Sequence, residues 1–314
     1  MKEYKFDINN KKIYVAGSEG MVGSAVCREL EKENCKVIKT PRSETDLIDK
    51  HSIDRWMSAN NPDAVIICAA KVGGIMANQT YPVDFLYNNL MMQCNLINSS
   101  FEHNVKKLVF LGSSCIYPKF SPQPIKEETL LSGNLERSNE WYAIAKIAGI
   151  KLCQAYRKQY NCDFISAMPT NLYGTNDNFD LENSHVIPAL IRKCYEAKKN
   201  NNDTLAVWGS GNVRREFMHV DDCAKAIIFL LKVFSDTEHI NIGTGSDITI
   251  KNLVEIIKKI FGYKGNILFD SSKPEGTPQK LLDVSKINKL GWKAKIDLEE
   301  GLKKVIGELK EENF

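Results

Sequence analysis

This 314-residue sequence lacks the features that mark several classes of protein. Its nine cysteines form no C-x-x-C pair and no zinc-ligand spacing, which excludes a zinc motif and favours reduced thiols. No apolar run approaches a length of about 18 residues, which a membrane-spanning helix requires. The net charge of +3 is too small to indicate binding to nucleic acid or to a membrane. We therefore expect a soluble, cytoplasmic protein without a metal, whose basic residues act locally, for example on a phosphate.

A glycine-rich turn follows the first apolar stretch of the chain. Residues 12–16 predict a buried strand, which runs directly into Gly17, Gly20 and Gly23 and then into an amphipathic helix. In a dinucleotide-binding turn the first glycine permits the tight turn, the second lets the backbone approach a pyrophosphate, and the third allows close helix packing. The free N–H groups at the helix start then bind the diphosphate. This spacing predicts a dinucleotide cofactor.

The residues after the second strand indicate which dinucleotide is bound. Residues 36–39 predict this strand, and Arg42, Asp46 and Leu47 follow it. In NAD-binding proteins an acidic residue that binds the ribose 2′-hydroxyl usually ends this strand, whereas an arginine accommodates a 2′-phosphate. Arg42 therefore predicts NADP.

The segments that follow alternate between strand and helix periodicity. Residues 63–70 and 107–111 predict buried strands, and residues 84–103 predict the helix between them. The order βαβαβαβ predicts an α/β fold with a parallel, doubly wound sheet that binds ligands at the carboxyl ends of its strands. Ala69 and Ala70 are small residues at one such end, and they leave room for part of the cofactor.

A tyrosine and a lysine four residues apart are candidates for catalysis. Tyr142 and Lys146 lie on one face of a predicted helix. An unperturbed tyrosine has a pKa of about 10 and exchanges protons poorly at neutral pH. We expect the lysine cation to lower the pKa of Tyr142 and so prepare it for proton transfer. Ser113 follows the fourth strand, where its hydroxyl can donate to a substrate carbonyl beside the nicotinamide.

Eight short strings carry a resemblance to a known family, namely residues 17–25, 69–75, 111–118, 142–146, 169–174, 184–190, 207–211 and 215–222. With these strings the sequence resembles the extended short-chain dehydrogenase/reductase superfamily and, more narrowly, the GDP-L-fucose synthase family. The resemblance covers nearly the whole chain, as far as Val284. The serine loop that contains a cysteine, residues 111–118, and the string at 184–190 are its most specific parts.

The resemblance implies a division of the chain into two joined domains, as its length also suggests. Residues 1–175 would form a Rossmann domain, and residues 176–314 would form mainly a smaller, mixed α/β substrate domain. Residues 214–245, roughly, would return to the Rossmann domain. Members of the family usually dimerise through a helix pair that includes the helix of the tyrosine and lysine, so a homodimer is expected.

The resemblance also implies roles for individual residues. Ser113, Tyr142 and Lys146 would form a reductase triad, and Cys115 and His185 would be the base and the acid of an epimerisation. The implied cofactor is NADP(H), and its contacts would be Gly17, Ser18, Gly20, Met21, Val22, Gly23, Arg42, Asp46, Leu47, Ala69, Ala70, Leu111, Gly112, Ser113, Ser114, Tyr142, Lys146, Pro169, Asn171, Leu172 and His185. The implied substrate is a GDP-4-keto sugar, and its contacts would be Lys193, Trp208, Arg215 and Lys280.

These residues permit a two-part reaction. A 4-keto group acidifies the protons at C3 and C5, so the thiolate of Cys115 can remove one and His185 can return one to the opposite face. Reduction at C4 follows, with Tyr142 protonating the alkoxide while Lys146 and Ser113 stabilise the charge. The polar stretch 176–183 is a candidate lid.

Two departures from the family pattern leave alternatives open. Glu19 stands in the glycine loop where the family commonly has an arginine, and a carboxylate there repels the 2′-phosphate of NADP. Lys193 replaces a frequent arginine and loses the bidentate fork. An enzyme that only reduces C4, acting on a GDP-4-keto heptose, fits the same motifs. A 4,6-dehydratase is disfavoured because Ser114 and Cys115 replace the acidic pair, and the intact triad disfavours a non-catalytic nucleotide sensor.

Overall fold

A computed structural model describes residues 4–41, 43–181, 183–273 and 275–309. Its strands are β1 (Lys12–Ala16), β2 (Lys36–Ile38), β3 (Ala64–Ile67), β4 (Lys107–Leu111), β5 (Asp163–Pro169), β6 (Asn171–Tyr173), β7 (Thr204–Trp208), β8 (Arg214–His219), β9 (Ile240–Ile242), β10 (Asp247–Thr249), β11 (Asn266–Asp270) and β12 (Gln279–Lys280). Its α-helices are α1 (Met21–Leu30), α2 (Lys50–Asn60), α3 (Ile75–Thr80), α4 (Asn89–Glu102), α5 (Glu140–Tyr160), α6 (Val186–Lys199), α7 (Val220–Val233), α8 (Ile250–Phe261), α9 (Ser285–Lys289) and α10 (Leu298–Glu308).

The central element is a parallel sheet. Over the described ranges it has six strands in the order β2-β1-β3-β4-β5-β9. The chain order reverses direction between β1 and β3, and in doubly wound sheets ligands bind beyond the carboxyl ends of the strands at such a point. The predicted α/β fold with a Rossmann-type parallel sheet is confirmed.

Helices cover both faces of this sheet because its inner strands are apolar along their whole length. Strands β3 and β4 are fully buried, as expected for parallel strands packed on two sides. On one face α1 and α7 pack together through residues such as Leu30 and Ile227. On the other face α2, α4 and α5 contribute Ile53, Leu96 and Ile150 to a second core.

A second group of elements lies beyond the carboxyl ends of the sheet. Strand β8 pairs with β6 and β12 in parallel and with β10 antiparallel, and β7 pairs with β11. Helices α6, α8 and α10 pack around a separate apolar core that includes Leu190, Leu253 and Leu302. Helix α7 and strand β9 lie between β8 and β10 in sequence but belong to the helix layer and the sheet of the central part.

Some elements differ from the predicted ones. The helix predicted over 84–103 begins with a π-helical turn, Asp84–Asn88, before α4. The strand predicted over 63–70 ends at Ile67, so Ala69 and Ala70 lie in the loop beyond the sheet edge. Among the residues that the structure describes, no helix has both the length and the apolarity needed to cross a membrane.

Candidate active site

The glycine turn between β1 and α1 lies at the point where the strand order reverses. Gly17 has a φ of +84°, and a Cβ atom there would come within 2.7 Å of the Ala69 backbone. A Cβ atom on Gly23 would overlap the Gly17 carbonyl oxygen, so α1 can approach the turn this closely only with a glycine. Among the described residues no side chain caps α1, which leaves N–H groups at its first turn for an anionic ligand.

The other residues predicted to contact a cofactor follow the same sheet edge. Ser18 is buried within the turn, and Met21 and Val22 are half-buried at the start of α1. Asp46 is exposed and accepts a hydrogen bond from the backbone N–H of Ile48. Leu47 packs against the core under the sheet. Arg42, the residue on which the prediction of NADP depends, lies outside the described residues.

The end of β4 and the start of α5 bring the predicted reductase triad together. Ser113 follows β4 and caps a 3₁₀ turn, where its Oγ atom accepts from the N–H of Cys115 at 3.4 Å. Tyr142 lies in the first turn of α5, with its ring centre 5.7 Å from Nζ of Lys146. Lys146 is buried, and its Nζ atom donates to the carbonyl oxygen of Leu111 at 2.8 Å.

Burial is the largest influence on the pKa values of Tyr142 and Lys146. It lowers the pKa of Lys146 from 10.5 to about 8 and raises the pKa of Tyr142 above its ordinary value. The expectation that Lys146 lowers the pKa of Tyr142 is therefore wrong, because loss of water around the phenol outweighs an amine 5.7 Å from its ring. Tyr142 keeps its proton, which suits an acid rather than a base.

A thiol and an imidazole face the same space from two other elements. Cys115 lies in the 3₁₀ turn after Ser113, and His185 precedes the first residue of α6. Burial raises the pKa of Cys115, and the positive charge of Lys280 is the largest opposing influence. His185 is exposed to the cavity, and there the enclosing protein and, after it, the charge of Lys280 lower the pKa of its imidazole. Lys280 thus acts on both groups.

The side chains of Ser113, Cys115, Tyr142 and His185 all line one cavity of about 310 Å³. It lies between the sheet edge and the second group of elements. The predicted site residues that line it are Ser113, Ser114, Cys115, Tyr142, Asn171, Leu172, His185, Lys193, Trp208, Arg215 and Lys280. Lys146 lies behind this wall. The glycine turn, Ala69, Ala70, Gly112 and Pro169 follow the neighbouring sheet edge, outside the cavity.

Basic and aromatic side chains form the other end of the cavity. Arg215 on β8 and Lys280 on β12 are direct partners in the parallel pairing of these strands. The indole of Trp208 is 39% exposed, which is unlike a core tryptophan. Nζ of Lys193 lies 5.1 Å and Nζ of Lys273 lies 5.6 Å from its ring system. This end can therefore bind a stacked base and a negatively charged group.

Several residues that line the cavity were not predicted. Ser138 and Asn139, just before α5, and Asn78 on α3 each have a buried oxygen without a hydrogen-bond partner in the described part of the chain. Phe85 on the π-helical turn packs its edge against the ring of Tyr142, with 6.3 Å between centroids. The nearness of Ser138 and Asn139 to Tyr142 in sequence was the available signal, whereas Asn78 and Phe85 had none.

Comparison with known proteins finds relatives along nearly the whole chain. The sequence profile of the NAD dependent epimerase/dehydratase family matches residues 13–243. The GDP-L-fucose synthase of Sinorhizobium fredii is 56% identical over 297 residues, which cover 95% of each chain. The GDP-L-fucose synthase of Escherichia coli is 49% identical over 305 residues, which cover 94% of this chain and 95% of that protein.

A solved structure resembles the whole fold. It is a GDP-mannoheptose C4 reductase from Campylobacter jejuni with NADP bound, and it superposes on this chain with a TM-score of 0.86. The two sequences are 37% identical, and the superposition covers 96% of this chain and 98% of the other.

Proposed function

The chain belongs to the NAD dependent epimerase/dehydratase family and within it to the GDP-L-fucose synthase family, and from this premise we propose that it reduces the C4 keto group of a GDP-4-keto sugar with NADPH. It is an NADP-dependent oxidoreductase that first inverts C3 and C5 of the sugar. One observation carries the proposal: a tyrosine, a serine, a thiol and an imidazole line a single cavity, namely Tyr142, Ser113, Cys115 and His185.

The turn between β1 and α1 fits the diphosphate of NADP(H). Gly17 and Gly23 allow the close approach of α1 to the sheet, and the first turn of this helix has N–H groups for the diphosphate. The remaining predicted contacts follow the carboxyl ends of the neighbouring strands. When bound, NADPH supplies the hydride that reduces C4.

In the first part of the reaction Cys115 is the base and His185 the acid. The thiolate of Cys115 removes the proton at C3 or C5, which the neighbouring keto group acidifies. His185 returns a proton to the opposite face, which inverts the carbon. Lys280 favours the thiolate of Cys115, because a nearby positive charge stabilises an anion.

In the second part Tyr142 is the acid. Its phenol holds a proton at neutral pH and donates it to the C4 oxygen as that oxygen gains negative charge. Ser113 donates a hydrogen bond to the same oxygen, and the cation of Lys146 stabilises the phenolate that remains. The buried position of Lys146 strengthens this interaction because few water molecules screen it.

The guanosine diphosphate of the substrate occupies the basic end of the cavity. Trp208 stacks on the base, while Lys193, Arg215 and Lys280 meet the diphosphate. Nη2 of Arg215 is held by the carbonyl oxygen of Glu275 at 2.8 Å, so part of this guanidinium is already oriented before the substrate binds.

The decisive experiment supplies GDP-4-keto-6-deoxymannose and NADPH in deuterated water. Oxidation of NADPH that depends on the sugar nucleotide tests the reductase. Deuterium at both C3 and C5 of the product tests the epimerase, because each inversion exchanges a carbon-bound proton with solvent. Absence of sugar-dependent NADPH oxidation would refute the proposed function.

A second candidate is reduction at C4 alone, with a GDP-4-keto heptose or a related GDP-4-keto hexose as substrate after a separate epimerase. The likeness to a GDP-mannoheptose C4 reductase supports it. Burial of Cys115 also supports it, because a thiol whose pKa is raised contains less thiolate at neutral pH. In the same experiment turnover without deuterium in the product would select this candidate.

We also propose that the protein is a homodimer whose interface includes α5. Trp141 and Ile144 are exposed three residues apart on this helix, and the exposed Tyr87 lies on the π-helical turn that packs against it. An apolar strip of this kind favours association. Light scattering should find a dimer, and Ile144→Glu should convert it to a monomer. The control is Leu268→Glu, at an exposed leucine of β11.

The domain division and the compartment are proposals as well. The division after residue 175, with roughly residues 214–245 returning to the first domain, accords with the place of β9 in the central sheet. Limited proteolysis should cut first between the two parts.

The proposed compartment depends on the cysteines. All nine are free thiols, at positions 27, 35, 68, 94, 115, 153, 162, 194 and 223. Free thiols favour the reducing cytoplasm, and cell fractionation tests this location.

A further inference from the structure

Glu216 in β8 is a buried carboxylate that interacts with backbone rather than with a cation. It is 0% exposed. One oxygen accepts from the N–H groups of Thr244 at 2.6 Å and Gly245 at 2.7 Å, and the other accepts from the N–H of Leu282 at 2.9 Å. Among the ion pairs of the described residues none includes Glu216. Backbone N–H groups, rather than a cation, therefore stabilise this carboxylate against the burial that raises its pKa.

These donors come from two different parts of the molecule. Thr244 and Gly245 follow β9, the last strand of the central sheet, whereas Leu282 lies two residues after Lys280. The packing is close, because a Cβ atom on Gly243 would overlap the carboxylate of Glu216. The side chain thus connects the edge of the central sheet to the segment that contains Lys280.

The backbone of Glu216 makes a third connection. Its carbonyl oxygen accepts from Asn171 Nδ2 at 2.8 Å and from Thr170 Oγ1 at 3.2 Å. Both residues lie in the turn at 169–172 that is predicted to contact the cofactor. Glu216 also directly follows Arg215, which lines the cavity. One residue therefore joins the predicted cofactor turn to Arg215 and Lys280, two of the three cations at the diphosphate end.

We propose that Glu216 is a positioning residue that fixes Arg215 and Lys280 relative to the cofactor turn, and so sets the distance between the anchored substrate and the reacting end of the cofactor. The inference rests on the proposed function. Placement matters because a shift of about 1 Å in a reacting pair costs about a hundredfold in rate. A carboxylate suits this role because all its lone pairs accept, whereas the amide of a glutamine would direct N–H groups against a backbone donor.

The molecule contains a matched control for a purely structural effect. Asp222 is 1% exposed, and its Oδ2 atom accepts from the N–H groups of Lys295 at 2.6 Å and Ile296 at 2.7 Å. It is thus another buried carboxylate that joins distant backbone segments. None of these three residues lines the cavity. Asp222→Asn and Glu216→Gln therefore remove comparable contacts in different places.

The experiment compares both variants with the wild-type chain at a temperature where all three are folded. Calorimetry measures affinity for GDP, quenching of protein fluorescence measures affinity for NADPH, and steady-state kinetics gives kcat and KM for the GDP-4-keto sugar. For Glu216→Gln we expect GDP affinity to fall about tenfold or more and kcat to fall about a hundredfold. For Asp222→Asn both should stay within about twofold, although its Tm should fall, because buried contacts far from a site affect stability alone.

A second variant keeps the test informative if Glu216→Gln does not fold. Glu216→Asp keeps the charge but is one methylene shorter, so it cannot reach Thr244 and Leu282 together. It should lose GDP affinity and keep its affinity for NADPH. Equal GDP affinity and kcat in the Glu216 and Asp222 variants would overturn the inference while the wild type still turns over. A wild type that neither binds GDP nor oxidises NADPH would overturn the proposed function and this inference with it.

Discussion

Lys146 donates a hydrogen bond from Nζ to the backbone carbonyl oxygen of Leu111, 2.8 Å away. The contact joins α5 to the last residue of β4 and holds the amine beneath the turn that begins at Ser113. Its Nζ atom also lies 4.9 Å from the Phe110 ring centre and 5.7 Å from that of Tyr142, and the thiols of Cys115 and Cys68 are close enough to act on its charge. Among the described residues no carboxylate pairs with Lys146. The site therefore contains a buried cation that stability alone would not favour.

Because Lys146 is buried, we expect its positive charge to lower the free energy of unfolding by an amount that depends on pH. The pKa of Lys146 is lowered from 10.5 to about 8 in the folded protein, so between these values the unfolded chain holds a proton that the folded chain has released. The free energy of unfolding of the wild type should therefore rise with pH above about 8, relative to Lys146→Met, by up to about 1.4 kcal/mol per pH unit. Denaturant unfolding of both proteins at several pH values measures the difference. A difference that stays flat as pH rises would contradict the prediction.

Removal of the Tyr142 hydroxyl should separate the two parts of the reaction. Tyr142→Phe keeps the ring that packs against Phe85, so the fold should persist. Reduction should fall about 10²–10⁴-fold because the general acid is lost. Deuterium should still enter C3 and C5, since Cys115 and His185 are untouched. Absorbance of NADPH and mass spectrometry of the recovered sugar nucleotide measure the two activities, and equal loss of both would contradict the assigned role.

Removal of the Cys115 thiol should nearly abolish deuterium exchange and leave reduction intact, the reverse of the result expected for Tyr142→Phe. Cys115→Ser is expected to reduce deuterium exchange about a hundredfold or more, because a hydroxyl is a far weaker acid than a thiol and gives little anion. Reduction of a substrate that is already epimerised should persist. The control is Cys153→Ser, at a buried cysteine of α5 outside the cavity. Loss of reduction along with exchange would count against separate roles.

The central sheet and the glycine turn were predictable because their signals are local, whereas most residues of the cavity wall were predicted from the family resemblance. Gly17 follows a strand directly, and Tyr142 and Lys146 are separated by one helical turn, so spacing alone indicated their neighbourhood. Contacts between segments that lie far apart in the sequence produce no such local pattern. No residue close to Glu216 in the sequence indicates that its carboxylate accepts a hydrogen bond from the N–H of Leu282. Likewise, no residue close to Asn78 in the sequence indicates that Asn78 lines the same cavity as Asn139.

The electrostatics of the site were the least predictable part. The spacing of Tyr142 and Lys146 suggested a lowered pKa for the phenol, because spacing indicates a nearby cation but not the loss of water around both groups. In the folded chain burial acts on both and raises the pKa of Tyr142. Lys280 shows the same limitation, because its influence on Cys115 and His185 depends on the position of β12 beside β8.

Loss of the Lys280 charge should move the pH profile of epimerisation upward. This cation lowers the pKa of both Cys115 and His185, so Lys280→Met should raise both. The rising limb needs the thiolate and the falling limb needs the imidazolium, and both limbs should therefore shift to higher pH. Deuterium exchange measured at saturating substrate across pH reports the shift.

Lys193→Met is the matched control for this shift. It also removes a positive charge from the cavity wall, but Lys193 is not among the charges that act on Cys115 or His185. Both variants should raise KM for the GDP-sugar about tenfold, as expected for loss of a charged hydrogen bond. The pH limbs should move only in Lys280→Met, and movement in both variants would contradict the assignment.

The exposed carboxylate of Glu19 should weaken the preference for NADPH over NADH. Glu19 lies in the glycine turn, where the resemblance places a 2′-phosphate nearby, and like charges repel across water. Glu19→Arg should lower KM for NADPH about fivefold and leave KM for NADH nearly unchanged, an effect on the scale of one surface charge contact. The gain should shrink as salt rises because ions screen exposed charges. The control is Glu238→Arg, an exposed glutamate before β9, which is four strands away from β1 in the parallel sheet. An equal gain in both variants would attribute the effect to net charge, and no gain in Glu19→Arg would place the 2′-phosphate away from this turn.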